Sequence, residues 1–302
     1  MKKILVLGMS GMLGSMIYDY LKKNPSIEVA GTYLKKEEIE AFVSEKNLFH
    51  FDASKKIKDQ LHQIYQQFNA DYIINCIGII KPYCLDNDHN GVYLAIIVNA
   101  NFPHEMAVSL KEINPQSKII QIATDCVYSG SIGKYHEESK HDALDVYGKT
   151  KSLGEVHLEN FINIRTSIIG PEINAKLSLL EWFLSNHFGC EVKGFDHHEW
   201  NGCTTLQFAK LCEKMIIENE FEKLRKISHT LHYVINESVS KYRLLEIFNE
   251  VFDKKCVIKK VDYIGEPINR SLSTKLWVQE VIPMKQAISE LKQFIIKSSL
   301  FS

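Results

Sequence analysis

The chain reads as an α/β protein, a doubly wound parallel sheet (Rossmann-like) followed by a smaller, helix-rich C-terminal domain. Three observations predict this. Short strands, apolar on both faces, alternate with amphipathic helices up to Gly170. A glycine-rich turn follows the first strand, and beyond Gly170-Pro171 the strand signal fades while helical periodicity continues.

The elements follow in order. Ile4 to Leu7 form an apolar strand, and Leu13, Met16, Ile17, Tyr20 and Leu21 recur at helical spacing until Asn24-Pro25 interrupts them. Ile27 to Thr32 and Leu48 to Phe51 are the next strands. Ser54 is placed to cap a helix whose buried face is Ile57, Leu61, Ile64 and Phe68, and Tyr72 to Ile77 is again a buried strand. A helix over Ala100 to Ile113, a strand over Lys118 to Ala123, a helix over Lys149 to Glu159 and a strand over Ile162 to Ile168 complete the alternation. Further on, Leu177 to Asn186, Thr205 to Asn219, Val239 to Phe252 and Pro283 to Lys297 read as amphipathic helices, with brief strands at Leu231 to Ile235 and Val257 to Val261. The expected division is a doubly wound domain over 1–170, rejoined by part of 195–236, and a second domain over 171–302. Such an appended domain commonly supplies the far wall of a ligand cleft.

Composition bounds the function. The 302 residues are 45% hydrophobic and 24% charged, ordinary for a soluble globular chain. A net charge of -1 gives no basis for nucleic acid or an anionic membrane as partner. No apolar run approaches the ~20 residues that span a bilayer. The N-terminal apolar stretch ends at Leu7, too short for a signal peptide. Seven cysteines with no Cys-x-x-Cys pair point to scattered reduced thiols, and so to the cytoplasm.

The glycines are spaced Gly8-x-x-Gly11-x-x-Gly14, after a strand and at the start of a helix. Gly8 permits a tight turn, Gly11 lets backbone approach a pyrophosphate at the helix N-terminus, and Gly14 lets that helix pack on the sheet. A dinucleotide site is expected there, with Ser10, Met12 and Leu13 contributing to it. An NAD site usually offers a carboxylate at the end of the second strand, and an NADP site a cation. This chain reads Gly31-Thr32-Tyr33-Leu34-Lys35-Lys36, so Tyr33 and Lys35 become candidate contacts and NADP(H) is favoured over NAD(H). Asp52 is a candidate to receive the adenine amino group, and Asn75, Cys76, Ile77 and Gly78 are expected along the cofactor's inner edge.

Tyr147 and Lys151 lie four apart, so on a helix they share one face. A tyrosine near pKa 10 is a poor proton donor or acceptor at neutral pH, and an adjacent ammonium lowers that value. Thr124, ending the strand Lys118 to Ala123, falls at the carboxyl edge of the sheet, where ligands bind.

Four blocks together carry a resemblance: the glycine motif, Thr124-Asp125-Cys126-Val127-Tyr128, Val146 to Glu155 with its Tyr147-Gly148-Lys149-Thr150-Lys151 core, and Ile164-Arg165-Thr166-Ser167-Ile168-Ile169-Gly170. In order and over essentially the whole chain, they resemble the extended short-chain dehydrogenase/reductases, and within these the dTDP-4-dehydrorhamnose reductase family. The resemblance implies a Thr124, Tyr147, Lys151 triad that reduces a 4-keto-6-deoxy sugar carried on a nucleoside diphosphate, in deoxysugar and polysaccharide biosynthesis. Thr124 and Tyr147 would bond the keto oxygen, Tyr147 would protonate the developing alkoxide, and Lys151 would hold the nicotinamide ribose and depress the tyrosine pKa. Asn99 would connect the lysine to solvent. Sister dehydratases follow the threonine with Asp-Glu; here Asp125 is kept but Cys126 replaces the glutamate. A thiol is a poor base for eliminating water, so simple reduction is favoured over dehydration.

Substrate contacts are expected from Asp125, from Lys81 just past the Asn75 to Gly78 strand end, from Trp200, and from Arg270, whose guanidinium suits a diphosphate. His197-His198-Glu199 is not expected to hold a metal, because adjacent histidines on an extended segment face opposite ways. A nucleotide sugar is the expected partner, and a homodimer the expected assembly. The alternatives are a sugar-nucleotide epimerase of the same superfamily and a non-catalytic NADP-binding regulatory subunit, like that of methionine adenosyltransferase.

Overall fold

In chain order the first elements are β1 (Lys2–Leu7), α1 (Met12–Leu21), β2 (Ile27–Tyr33), β3 (Leu48–His50), α2 (Ile57–Gln67), β4 (Tyr72–Asn75) and α3 (His89–Ala95). A π-turn over Ile96–Asn101 leads into α4 (Phe102–Ile113), followed by β5 (Lys118–Ala123), α5 (Val146–Leu153) and β6 (Phe161–Arg165). These belong to a computed structural model that describes residues 1–42, 44–174, 177–261 and 267–301. Then come β7 (Ile168–Ile169), α6 (Leu179–Ser185), β8 (Glu191–Phe195), β9 (His198–Trp200), β10 (Cys203–Thr204), α7 (Thr205–Ile217), α8 (Glu220–Ile227) and β11 (Thr230–His232). The last are β12 (Val239–Ser240), α9 (Lys241–Phe252), β13 (Val257–Val261), β14 (Ile268–Asn269) and α10 (Met284–Lys297).

Seven strands form one parallel sheet in the order β11-β6-β5-β4-β1-β2-β3. Its strands are apolar on both faces because each face carries a helical layer. Ile4 and Val6 of β1 join Met16 and Ile17 of α1 and Phe208 and Leu211 of α7 in one core. Leu5 and Leu7, alternating with them, join Leu61 and Ile64 of α2 and Phe102 and Met106 of α4 in the other. Strand order reverses between β1 and β4, which makes the carboxyl ends of these strands the crevice of the fold. Leu7 pairs with Asn75 and Asn75 with Gln121, so β1, β4 and β5 end at nearly the same height.

The smaller part of the chain packs above that crevice. There β8 pairs in parallel with β13, β9 lies between β12 and β14, and α9 packs against α10 and β8. At the far side of the sheet, Arg165 is buried at the end of β6 and bonds both carboxylate oxygens of Glu155 at 2.7 Å and the Tyr128 hydroxyl at 2.8 Å.

Several local expectations are corrected. Ser54 does not cap α2: Lys56 stands at its N-cap with φ 43°, and Ser54 instead bonds the Asp52 carboxylate. The helix expected over Lys149 to Glu159 begins earlier, because Asp145 caps it through the Gly148 amide at 2.8 Å, and ends at Gly154. The strand expected to run to Ile168 stops at Arg165, and α9 begins only after Val239 and Ser240 have formed β12. Not every thiol is free: Cys190 and Cys256, with Cα atoms 4.5 Å apart at the starts of β8 and β13, form a disulfide. Among the described residues, no helix is long and apolar enough to cross a membrane.

Candidate active site

At the crevice, Gly8 takes φ +75° and donates its amide to Thr32 Oγ1 at 2.9 Å, which fixes the turn between β1 and α1. A Cβ on Gly14 would lie 2.1 Å from the Gly8 carbonyl, so only glycine lets α1 start this close to the strand. Gly11 is the N-cap of α1, no side chain caps that end, and a Cβ there would touch only the Gly8 carbonyl, at 3.5 Å. The helix terminus is therefore an open cradle of backbone amides, which suits the diphosphate of a dinucleotide. Met12 and Leu13 open the helix at this cradle; the Leu13 side chain is in the core, leaving its backbone to face the site. Ser10 donates its hydroxyl to Glu38 at 2.9 Å.

The residues expected along the cofactor fall into two kinds. Tyr33 is half-buried at the end of β2, edge-on to His50 with ring centroids 6.0 Å apart, and Lys35 is exposed beside it. Asp52 already accepts from the Ser54 hydroxyl at 2.6 Å and from Lys55 at 3.0 Å. Burial raises its pKa, but these partners outweigh it and hold the carboxyl below its ordinary value. Asn75 is a buried brace, donating to Gln121 at 2.9 Å and accepting from the Ile77 amide at 3.1 Å. Cys76 and Ile77 are half-buried and Gly78 is exposed at the crevice, with Ile77 against Gly8. Asn99, on the π-turn, grips both the amide and the carbonyl of Ile79, at 2.8 and 2.9 Å, and donates to Thr150 at 3.2 Å. It thus ties the end of β4 to α5.

Thr124 directly follows β5, is buried, and accepts the Cys126 amide at 3.1 Å, capping a short turn over Asp125–Val127. Across from it, α5 presents Tyr147 and Lys151. Burial pushes the Tyr147 phenol above its ordinary pKa, and the neighbouring Cys126 adds to this, while a hydrogen bond with Thr124 acts the other way. Lys151 donates to the Ile122 carbonyl at 3.1 Å, and burial lowers its pKa to about 8. The tyrosine is thus held protonated near neutrality, opposite in direction to the depression expected from its lysine neighbour. Burial likewise raises the Asp125 carboxyl in spite of Arg270, and pushes the Cys126 thiol up to about 12. Such a thiol does not act as a base at neutral pH.

Above this group lies a cavity of about 240 Å³, lined by Asp125, Cys126, Trp200 and Arg270 among others. That is somewhat below the ~300–1,000 Å³ of a whole small-molecule site, and suits part of a larger ligand. Arg270 also donates to the Tyr128 carbonyl at 2.9 Å. Lys81 lines a second pocket with Asp145 and Tyr147, its ammonium 5.9 Å from the centroid of the Tyr147 ring and paired with Asp145 at 3.0 Å. Among the residues lining the first cavity that the sequence reading did not assign to the site are Lys241 and His198. Burial lowers the pKa of both, with Arg270 contributing, and His198 falls to about 4. Lys241 had a readable signal: it opens α9 right after its Ser240 cap, where the helix dipole disfavours a cation. Among the described residues, no cluster of three His, Cys, Asp or Glu side chains is placed to hold a metal ion.

Comparison with known proteins agrees with this architecture. The protein is similar in structure to a dTDP-4-dehydrorhamnose reductase from Clostridium acetobutylicum, with a TM-score of 0.73, 19% identity, and coverage of 97% of this chain and 99% of that one. It is also similar to the dTDP-4-dehydrorhamnose reductase from Bacillus anthracis in complex with NADP, with a TM-score of 0.74, 16% identity, and coverage of 99% and 100%. In sequence it is similar to methionine adenosyltransferase 2 subunit beta, 25% identical to the Danio rerio protein over 83% of this chain and 74% of that one. The Bos taurus protein is 23% identical over 83% and 72%. The RmlD substrate binding domain model matches residues 1–281, and the chain belongs to that family.

Proposed function

We propose that this protein is an NAD(P)H-dependent reductase of a nucleoside-diphosphate-linked 4-keto-6-deoxy sugar. The observation that supports the reading is that Tyr147 of α5, one helical turn from Lys151, meets Thr124 after β5, next to Asp125 and Cys126, which line a cavity with Arg270 and Lys241, in a fold that also carries an uncapped glycine cradle. Backbone amides of the cradle would hold the dinucleotide diphosphate, and Tyr33, Lys35, Asp52 and the Asn75 to Gly78 edge would flank the rest. A bound nicotinamide would supply the hydride. The chain's own residues do the remaining work. Thr124 and Tyr147 would donate hydrogen bonds to the keto oxygen, and the protonated phenol would pass its proton to the alkoxide, a stronger base than phenolate. Lys151 would bond the ribose and stand as the nearby ammonium, while Asp125 and Trp200 would contact the sugar. Arg270, Lys241 and Lys81 would neutralise the substrate diphosphate.

The likeness to methionine adenosyltransferase 2 subunit beta favours a second reading, a regulatory subunit that binds dinucleotide without turning over a sugar. Dinucleotide oxidation measured against dTDP-, UDP-, GDP- and CDP-linked 4-keto-6-deoxy sugars separates the two. Turnover with one of them is expected; dinucleotide binding without turnover on any would overturn the reductase assignment and leave the regulatory one.

A further inference from the structure

We infer that Glu38 sets the choice between the two nicotinamide dinucleotides, by competing with a 2′-phosphate for the Ser10 hydroxyl. The inference rests on the dinucleotide reading above and assigns a selectivity residue within it. In sequence Glu38 belongs to an acidic stretch that looks like a solvated helical face. The fold brings it back. The chain after β2 winds into a short 3-10 segment over Lys36–Phe42, and Phe42 anchors that segment in the core, edge-on to Tyr18 of α1 with centroids 5.7 Å apart. Ile39 packs against the same core.

Anchored at both residues, the segment lays the Glu38 carboxylate over the glycine loop. Its Oε2 accepts from Ser10 Oγ at 2.9 Å and from the Lys35 amide at 3.4 Å. From beyond β7, Asn174 Nδ2 donates to the Glu38 carbonyl at 3.0 Å and to the Ser10 carbonyl at 3.3 Å, clasping the pair from above. Glu38 is half-buried, whereas Lys35, Lys36 and Glu37 are exposed.

The end of β2 is where the adenosine ribose lies in folds of this kind. A 2′-hydroxyl can donate to a carboxylate there. A 2′-phosphate brings only acceptors and like charge, and the Ser10 hydroxyl that could donate to it is already held by Glu38. Lys35 and Lys36 attract either dinucleotide's negative charge from solvent, but they do not free Ser10. Glu38 therefore accommodates NAD(H) and must be displaced by NADP(H), a preference opposite to the one that Lys35 implies in the sequence.

Dissociation constants for NAD⁺ and NADP⁺, measured by calorimetry on the wild type, Glu38→Gln, Glu38→Ala and Glu37→Gln, test this. Both Glu38 variants should raise the affinity for NADP⁺ relative to NAD⁺ by about tenfold, the order expected from removing one like charge at contact distance. Glu37→Gln removes the same charge from the exposed neighbour and should leave the ratio nearly unchanged. An unchanged ratio in both Glu38 variants overturns the inference, as does an equal shift in Glu37→Gln, which would trace the effect to net charge. If the wild type and all variants bind neither dinucleotide, the dinucleotide reading itself falls, and this inference with it.

Discussion

Lys151 donates its ammonium to the Ile122 carbonyl at 3.1 Å, one strand residue below Ala123, so the lysine is seated against the end of β5 and not on its helical neighbour Tyr147. This seat is buried, and its cost follows from the shift it imposes. An unfolded lysine titrates at its ordinary value of 10.5, the folded Lys151 at about 8. Between these the unfolded chain binds a proton that the folded chain has released, so this residue makes stability rise with pH across that window, and its penalty is largest below it. Lys151→Met should accordingly be more stable than the wild type at pH 7, with the gap closing as pH rises toward 10.5. Urea unfolding at pH 7, 9 and 10 reads it. A gap that widens with pH contradicts the assignment.

Tyr147→Phe keeps the ring and removes the hydroxyl that Thr124 faces. Loss of a positioned proton donor costs roughly 10²–10⁴ in turnover. Turnover with the responsive nucleotide sugar should fall by that order, while dinucleotide affinity stays close to wild type because the glycine cradle lies on another element. Turnover surviving the substitution nearly intact would remove Tyr147 from the chemistry.

How much of this was legible in the chain depends on the range of the forces involved. The strands of the sheet are local apolar runs, and Lys118–Ala123 and Val257–Val261 appear with the bounds that the pattern implies. Thr124 was legible because the end of a parallel strand is also the edge of the crevice. Glu38 was not, since its place depends on Phe42 finding Tyr18 and on Asn174 reaching back from far along the chain. Asp145 was passed over as a cap because the helical signal around Tyr147 is weak, and the carboxylate that starts the helix lies in a polar stretch. Cys190 and Cys256 are brought together only by the pairing of β8 with β13, two strands separated in sequence by three helices.

The cations of the cavity carry the next prediction. Arg270 and Lys241 line it together, each near enough to influence the other's surroundings and to face Asp125. A hydrogen bond to a charged group is worth about 1.5–3 kcal/mol, equivalent to roughly 10- to 100-fold in affinity. Arg270→Ala and Lys241→Ala should each raise KM for the nucleotide sugar by that order and leave dinucleotide affinity nearly unchanged. If KM stays put and dinucleotide affinity falls instead, the diphosphate of the substrate is held elsewhere.

The cysteines give a prediction that needs no substrate. Burial raises the pKa of all five free thiols, Cys76, Cys84, Cys126, Cys203 and Cys212, so none is thiolate near neutrality. Cys126 is the sensitive case, since it lines the cavity and is only half-buried. Iodoacetamide at neutral pH should label none of the seven cysteines quickly in the folded protein, five after unfolding, and all seven after unfolding with reductant. Mass spectrometry counts them. The Cys190–Cys256 bridge closes a loop between positions 66 apart, and a bridge of that kind typically contributes about 2–4 kcal/mol, chiefly by restricting the unfolded chain. Cys190→Ala with Cys256→Ala should lower the unfolding free energy by that amount, and added reductant should lower the wild type alone, since the double variant has no bridge to lose. Rapid labelling of Cys126 in the folded protein would show that its thiol ionises readily, and the case against a base at that position would go with it.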